Sequence, residues 1–162
     1  MLLSEVGYAR PATLEQALGV LGENLGARAL AGGQTLINVM KARAAAPDAL
    51  VDLNGIPQLK GIELGSDGTL EVGPMTTYTE LIASSEARAR PILGEVCAQI
   101  ADVQVRNRGT VGGNVCSNDP TNHLPPVLVA VGATMAIAGA SGIRLGSFGT
   151  KQGLVRVAQP EA

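Results

Sequence analysis

Aromatic side chains are almost missing from this sequence. Among 162 residues there are two tyrosines, one phenylalanine and no tryptophan, so aromatic residues make up 2% of the chain. The core therefore has to be built from aliphatic side chains. With 46% hydrophobic and 16% charged residues, the composition is typical of a globular protein, and the length suits one domain of ordinary size.

Charged residues, cysteine and histidine are also scarce. The formal net charge is −2, which gives no electrostatic basis for binding nucleic acid or an acidic membrane surface. Two cysteines, Cys97 and Cys116, are too few for the four ligands of an iron–sulfur cluster. Two separate thiols are typical of a reducing compartment, so we expect a cytoplasmic protein without a metal site.

Long apolar runs are missing too. The N-terminus carries Glu5 and no extended apolar stretch, which argues against a signal peptide. Residues 124–143 lack charged side chains but are interrupted by prolines and glycines. We therefore predict no membrane-spanning segment.

The first third of the chain predicts a strand, a glycine pair, a helix and a second strand. Residues 27–31 form a short apolar run that ends at Gly32-Gly33, residues 36–40 continue at helical spacing, and residues 49–53 are again apolar. This order directs the first N–H groups of the helix beyond the end of the strand, which is how a pyrophosphate is commonly held. The G-x-G-x-x-G pattern of a Rossmann fold is absent.

The rest of the chain predicts short helices and hairpins. Capping boxes at Thr13–Gln16 and Thr77–Glu80 each start a helix, Pro91 starts a longer one, and Pro125-Pro126 precede a short apolar one. Predicted strands cover residues 61–64 and 69–73, which flank a Ser66-Asp67-Gly68 turn and so predict a hairpin. Two further strands are predicted at residues 134–138 and 143–145. Cys97 lies on the apolar face of the longer helix and is predicted to be a core residue.

One polar segment, residues 104–126, contrasts with this apolar chain. Its sequence, QVRNRGTVGGNVCSNDPTNHLPP, predicts a loop that lies against a polar ligand. Residues 110–114 offer consecutive backbone N–H groups, and two of the five have no Cβ, so the main chain can contact an anion such as phosphate. The alternative is that Gly112-Gly113 only allow a tight turn or bulge.

Two motifs in this sequence carry a resemblance to a known family. AGGQTL at residues 31–36 and QVRNRGTVGGN at residues 104–114 are separated by VDL at 51–53 and VGP at 72–74. In this order and spacing they resemble the FAD-binding subunits of molybdenum hydroxylases, the family of xanthine dehydrogenase and aerobic carbon monoxide dehydrogenase. The resemblance covers roughly residues 8–138.

The resemblance implies an α+β fold, the PCMH-type FAD-binding domain, over residues 1–145. Two subdomains, about 1–55 and 56–145, would hold the cofactor extended in the cleft between them. Residues 146–162 do not continue the family pattern, so we expect a divergent tail or a truncated C-terminal domain. In complete family members that domain covers the flavin ring.

The resemblance also implies which residues bind FAD. Two glycine-bearing segments would hold the pyrophosphate and the ribityl chain. The first glycine segment consists of Ala29, Leu30, Ala31, Gly32, Gly33, Gln34, Thr35 and Leu36, and the second glycine segment of Thr110, Val111, Gly112, Gly113 and Asn114. Ile100 matches a position near the flavin ring, the alternative being that it only ends the apolar face of the preceding helix.

The expected adenosine end of the site departs from the family. Asp119 is expected to contact the cofactor, although Asp-Pro is also an ordinary turn signal. His123 stands where relatives often have a carboxylate that binds the adenosine ribose, and an imidazole cannot replace a bidentate carboxylate. Arg106 and Arg108 either contact phosphate or bond to solvent and backbone carbonyls.

The function that the resemblance implies is electron transfer. FAD would take electrons from a 2Fe–2S small subunit and pass them to an acceptor, while a molybdopterin-binding large subunit carries out the hydroxylation. The sequence shows no arrangement of a catalytic acid, base or nucleophile. The alternative is a non-catalytic, truncated remnant that keeps the fold or an assembly surface and binds FAD weakly or not at all.

Overall fold

The computed structural model describes residues 3–139 and 141–147, and its mixture of helices and strands confirms the predicted α+β class. The strands are β1 Gly7–Ala9, β2 Ala27–Leu30, β3 Ala49–Asp52, β4 Ile62–Leu64, β5 Leu70–Val72, β6 Thr134–Gly139 and β7 Gly142–Ser147. The α-helices are α1 Leu14–Glu23, α2 Leu36–Lys41, α3 Tyr78–Ala83, α4 Pro91–Gln99, α5 Val103–Arg106, α6 Val111–Cys116 and α7 Leu124–Ala130. Of the expected tail, residues 148–162 lie outside the described residues.

A parallel three-stranded sheet forms the first part of the fold, in the order β1-β3-β2. Its central strand β3 is buried from Leu50 to Asp52, and both neighbours run in the same direction as β3. The first glycine segment therefore leaves the sheet at the carboxyl ends of the strands, where open parallel sheets commonly bind ligands. Strand β1 was not predicted, because its three residues show no apolar alternation and Tyr8 remains 60% exposed.

Two antiparallel hairpins and the helices between them form the rest of the fold. The β4–β5 hairpin closes over the predicted Ser66-Asp67-Gly68 turn, and β6 pairs with β7. The capping box at Thr77 and Glu80 is complete, since each side chain accepts a hydrogen bond from the other residue's backbone N–H. At α1 the Thr13 hydroxyl accepts from Gln16 N, while the Gln16 side chain accepts from Ala12 rather than Thr13.

Two main clusters of apolar side chains make up the core. The first contains Ala17, Ala27, Val51, Ile56, Leu59 and Met75. The second contains Tyr78, Leu81, Ala87, Leu93, Cys97, Ile100, Val111, Val115, Leu124, Leu128 and Met135. Because side chains alternate along a strand, β6 joins the two parts: Met135 belongs to the second cluster, while Ala136 and Ala138 pack against α1. The subdomain boundary near residue 55 stays a prediction.

The polar segment 104–126 is not the loop that its composition predicts. It contains most of α5, all of α6 and the start of α7. Side chains cap the first two of these helices, since Asp102 accepts from Val105 N and Thr110 accepts from Gly113 N. The loop prediction was wrong for these helical residues, because local caps and tertiary contacts outweigh the low helix propensity of two adjacent glycines, while residues 107–110 and 117–123 lie outside helices.

Cys97 is fully buried in the second cluster, as predicted. Burial raises the pKa of its thiol to about 12. We therefore expect iodoacetamide at pH 8 to leave Cys97 unmodified in the native protein and to alkylate it in denaturant, because only the thiolate reacts. Peptide mass mapping after a timed reaction measures this, and alkylation of Cys97 at the same rate in both states would contradict its buried position.

Candidate functional site

The first glycine segment packs against the backbone that leads into the second and lies beside the second itself, although the two are far apart in the sequence. A Cβ added to Gly32 would lie 2.0 Å from the carbonyl oxygen of Arg108 and 3.0 Å from Gly109 Cα. A Cβ added to Gly113 would lie 3.6 Å from Ala31 Cβ. The structure thus brings both segments to one place in the fold, at the carboxyl ends of the parallel strands.

Gly32 and Gly112 are required by this packing of chain against chain. A Cβ at Gly112 would lie 2.6 Å from Pro74 Cβ and 2.8 Å from the Pro74 carbonyl oxygen. Neither residue has the positive φ that would itself require glycine. The missing Cβ atoms therefore let one stretch of backbone approach another. The sequence suggested instead that the missing Cβ atoms of the second segment give an anion access to the main chain, and at Gly112 the added Cβ would meet Pro74.

The first glycine segment presents backbone donors. Ala29 and Leu30 end β2, and Leu36 starts α2. Within the described residues, the N–H groups of residues 33–36 donate to no other group of the chain, as is usual for the first turn of a helix. Gly33 has φ +74°, a left-handed conformation that turns the chain from strand to helix. Neutral donors arranged in this way suit a diphosphate without a metal ion.

In the second glycine segment the backbone donors of residues 111–114 are already used. Val111 N donates to Thr76 O at 2.9 Å and Gly112 N to Pro74 O at 2.8 Å. Gly113 N donates to the Thr110 hydroxyl, and Asn114 N to the Thr110 carbonyl. The prediction of free N–H groups was therefore wrong for residues 111–114, because helix formation and contacts with residues 74–76 satisfy them.

Asn114 is the polar side chain of the second segment that remains partly unsatisfied. The residue is 8% exposed, and its Nδ2 donates to the Tyr78 hydroxyl at 2.9 Å in a buried hydrogen bond. Its Oδ1 is buried without a hydrogen-bond partner. A buried acceptor left without a partner costs free energy, so this oxygen fits a ligand that offers a donor such as a hydroxyl group.

Ile100 and Arg106 lie at the end of α4 and in α5, respectively. Ile100 is 7% exposed and is part of the second core cluster, which fits the alternative that it ends an apolar helix face. Arg106 donates to the carbonyls of Ile100 and Ala101 at 3.0 and 2.7 Å. Its guanidinium thus bonds to the backbone, the alternative that the sequence left open, while the Arg108 carbonyl packs against Gly32.

Asp119 and His123 lie on the exposed stretch between α6 and α7. The carboxylate of Asp119 accepts from Thr121 N and the Thr121 hydroxyl, and these bonds hold its pKa below the usual range. This is the turn role that the Asp-Pro pair indicates. His123 is exposed at the N-terminal end of α7 and makes no capping hydrogen bond. Their contact with a cofactor stays a prediction.

A hydrogen-bonded network beside the first glycine segment was not predicted. Asp52, 8% exposed, accepts from the Tyr8 hydroxyl at 2.5 Å and from Asn54 N and Nδ2 at 2.9 and 2.7 Å. Asn54 Nδ2 also donates to the carbonyl of Ala31 at 3.1 Å. The signal in the sequence was the Asp-x-Asn triplet at the end of a buried strand, where such side chains commonly form local turns.

This network makes the acid stability of the protein depend on Asp52. Burial raises the pKa of Asp52, but hydrogen bonds from Tyr8 and Asn54 and the charge of Arg10 outweigh it, so the pKa is lowered. The stabilisation is complete above the unfolded pKa of about 3.9 and is lost as pH falls through the folded value. We expect Asp52→Asn to be less stable than the parent at neutral pH, with the difference shrinking below about pH 4. Urea unfolding across pH 3–7 checks this, and a pH-independent difference would contradict it.

Residues 3–139 and 141–147 contain neither a candidate metal site nor a helix that could span a membrane. There, no three His, Cys, Asp or Glu side chains come together so that they could hold a metal ion. Across the same part of the chain, no helix has both the length and the apolar character needed to cross a bilayer.

Known proteins match this chain over most of its length. Residues 4–151 match the family model described as "FAD binding domain in molybdopterin dehydrogenase". The carbon monoxide dehydrogenase medium chain of Hydrogenophaga pseudoflava is 44% identical over 141 residues, which are 85% of this chain and 48% of the relative. The xanthine dehydrogenase FAD-binding subunit of Escherichia coli O157:H7 is 32% identical over 158 residues, which are 95% of this chain and 54% of the relative.

Solved structures show the same fold. Quinoline 2-oxidoreductase from Pseudomonas putida 86 matches with a TM-score of 0.89 and 33% identity, covering 99% of this chain and 61% of that one. Reconstituted CO dehydrogenase from Oligotropha carboxidovorans matches with a TM-score of 0.89 and 34% identity, covering 99% and 62%. The chain thus spans about half the length of its curated relatives and about three fifths of the solved chains.

Proposed function

Because the chain belongs to the family of FAD-binding domains in molybdopterin dehydrogenases, we propose that it works as the FAD-binding part of a molybdenum hydroxylase-type oxidoreductase. FAD is its cofactor. When bound, FAD supplies the redox chemistry, accepting electrons from a donor and passing them to an acceptor. The protein itself has to bind the cofactor, orient it and set its surroundings.

The two glycine segments are the proposed FAD site. The first, Ala29–Leu36, would bind the pyrophosphate through its unpaired N–H groups and the Thr35 hydroxyl. The second, Thr110–Asn114, would contribute Asn114 Oδ1 as an acceptor for a hydroxyl of the ribityl chain. The proposed FAD-binding residues also include Ile100 near the flavin ring, and Asp119 and His123 at the adenosine end, as the family resemblance implies.

The observation that carries this proposal is that the first segment packs on the backbone leading into the second and lies beside the second itself. Gly32 packs on the Arg108–Gly109 backbone, and Gly113 lies beside Ala31. The first segment has unpaired donors and the second an unpaired acceptor, which is a combination that one elongated ligand with phosphates and hydroxyls can satisfy. None of these features favours the truncated remnant over a chain that binds FAD.

Retention of FAD by the purified chain tests the proposal. The chain is incubated with excess FAD and passed over a desalting column, and the eluate is analysed for flavin absorbance and fluorescence. We expect flavin to elute with the protein at close to one per chain, with quenched fluorescence. A colourless protein with native circular dichroism would contradict the proposal and favour the remnant.

The partners are part of the proposal. The name "medium chain" of the Hydrogenophaga relative points to a complex of several chains. We infer a molybdopterin-binding large subunit and a 2Fe–2S small subunit as partners, the latter delivering electrons to FAD. Co-expression with two such subunits should give one complex on size-exclusion chromatography, and separate elution of the FAD-loaded chain would contradict only the partners.

A further inference from the structure

We propose that Asn54 is a positioning residue for the FAD site, fixing the first glycine segment through its side-chain amide. The amide of Asn54 has two N–H groups and uses both. One donates to Asp52 Oδ1 at 2.7 Å and the other to the Ala31 carbonyl at 3.1 Å. Because both N–H groups are engaged, the amide holds Ala31, the residue before Gly32, at a fixed distance from the end of β3. This inference rests on the proposed function.

Asp52 and Tyr8 hold the amide of Asn54 in turn. Asp52 Oδ1 accepts from both the backbone N and the side chain of Asn54, while its Oδ2 accepts from the Tyr8 hydroxyl at 2.5 Å. Tyr8 belongs to β1, Asp52 to β3, and Ala31 directly follows β2. The network thus ties all three parallel strands together and reaches the segment that carries the unpaired donors through Ala31. Hydrogen bonds to a carboxylate are stronger than neutral ones, which suits a support of this kind.

The carbonyl of Ala31 is well placed for this role. Ala31 comes directly before Gly32, which packs on the Arg108 carbonyl, and Ala31 Cβ lies beside Gly113. A shift of Ala31 would therefore move the donors of the first segment and change its contact with the second. Since a diphosphate needs its donors in place before it binds, loosening this residue weakens binding without removing any group that contacts the ligand.

The test uses the full chain with FAD as the probe. Asn54→Ala removes the bond to Ala31, and Tyr8→Phe removes only the hydroxyl that supports Asp52. The matched control is Asp67→Asn at the β4–β5 turn, where Asp67 accepts from Thr69 N and the Thr69 hydroxyl at 2.9 and 2.8 Å, two bonds that stay within the hairpin. Flavin fluorescence titration gives the dissociation constant of FAD, ³¹P NMR at saturating FAD reports the surroundings of the pyrophosphate, and urea unfolding without FAD reports stability.

We expect Asn54→Ala to raise the dissociation constant of FAD about tenfold, the size of one hydrogen bond, and to shift the ³¹P resonances of bound FAD. Tyr8→Phe should give a smaller change in the same direction, and Asp67→Asn none. If Asn54→Ala lowers stability but leaves the ³¹P resonances and the affinity at parent values, the residue is only structural and the inference is overturned. If the parent chain itself binds no FAD, the proposed function fails and the inference falls with it.

Discussion

Gly32→Ala is expected to destabilise the protein and to abolish FAD retention. The added Cβ would lie 2.0 Å from the Arg108 carbonyl oxygen, an atom of the backbone that no side-chain rotation can move away. The two glycine segments would have to separate, and inserting a methyl group into such a contact costs about 1–3 kcal/mol, here at the upper end. Urea unfolding of the apoprotein gives the change in the free energy of unfolding, and desalting after incubation with FAD gives the retained flavin.

Gly19→Ala is the matched control for this change. Gly19 lies within α1, is exposed, and has nothing within 4 Å of an added Cβ. The same glycine-to-alanine substitution should therefore stabilise the helix by about 0.5–1 kcal/mol and leave FAD retention unchanged. If Gly32→Ala retained FAD as well as Gly19→Ala does, the contact between the two segments could not be what forms the site.

The periodic elements were predictable from the sequence, and those that depend on distant partners were not. Helix α4 follows from Pro91 and its apolar face, and the β4–β5 hairpin follows from its Ser-Asp-Gly turn. Strand β1 is held in place by pairing with β3, about forty residues away, and nothing in its own three residues indicates this. Helix α6 contains two glycines in its first turn, and its N–H bonds to Pro74 and Thr76 exist only in the folded chain.

The same distinction applies to the site. A glycine pair that follows a strand or lies in a polar segment indicates where the backbone can approach another group closely. The family resemblance predicted that this group is FAD. What the glycines contact depends on the fold: Gly32 contacts Arg108, and Gly112 contacts Pro74. The sequence does not show which N–H groups remain without a partner, because the partner can be distant in the chain. Gly112 N, for example, donates to the carbonyl of Pro74. The first segment therefore keeps unpaired N–H groups, while the unpaired polar group of the second is a side-chain oxygen.

Asn114→Leu is expected to weaken FAD binding by about 10- to 100-fold, which corresponds to about 1.4–2.8 kcal/mol. Leucine has a similar size but offers no acceptor in place of Asn114 Oδ1, the buried oxygen without a partner. In the apoprotein the substitution removes that unsatisfied acceptor but also leaves the buried Tyr78 hydroxyl without its hydrogen bond. The two effects oppose each other, so the loss of stability should be small compared with the loss of affinity.

A double variant separates the two effects. Asn114→Leu combined with Tyr78→Phe removes both partners of the buried hydrogen bond, and such a replacement by apolar groups of similar shape is close to neutral for stability. We expect the double variant to unfold in urea near the parent midpoint while its affinity for FAD stays as low as that of Asn114→Leu alone. If affinity recovered together with stability, Asn114 would act only through packing. Its oxygen would then be no ligand of the cofactor, and the second glycine segment would contribute only the shape of the site.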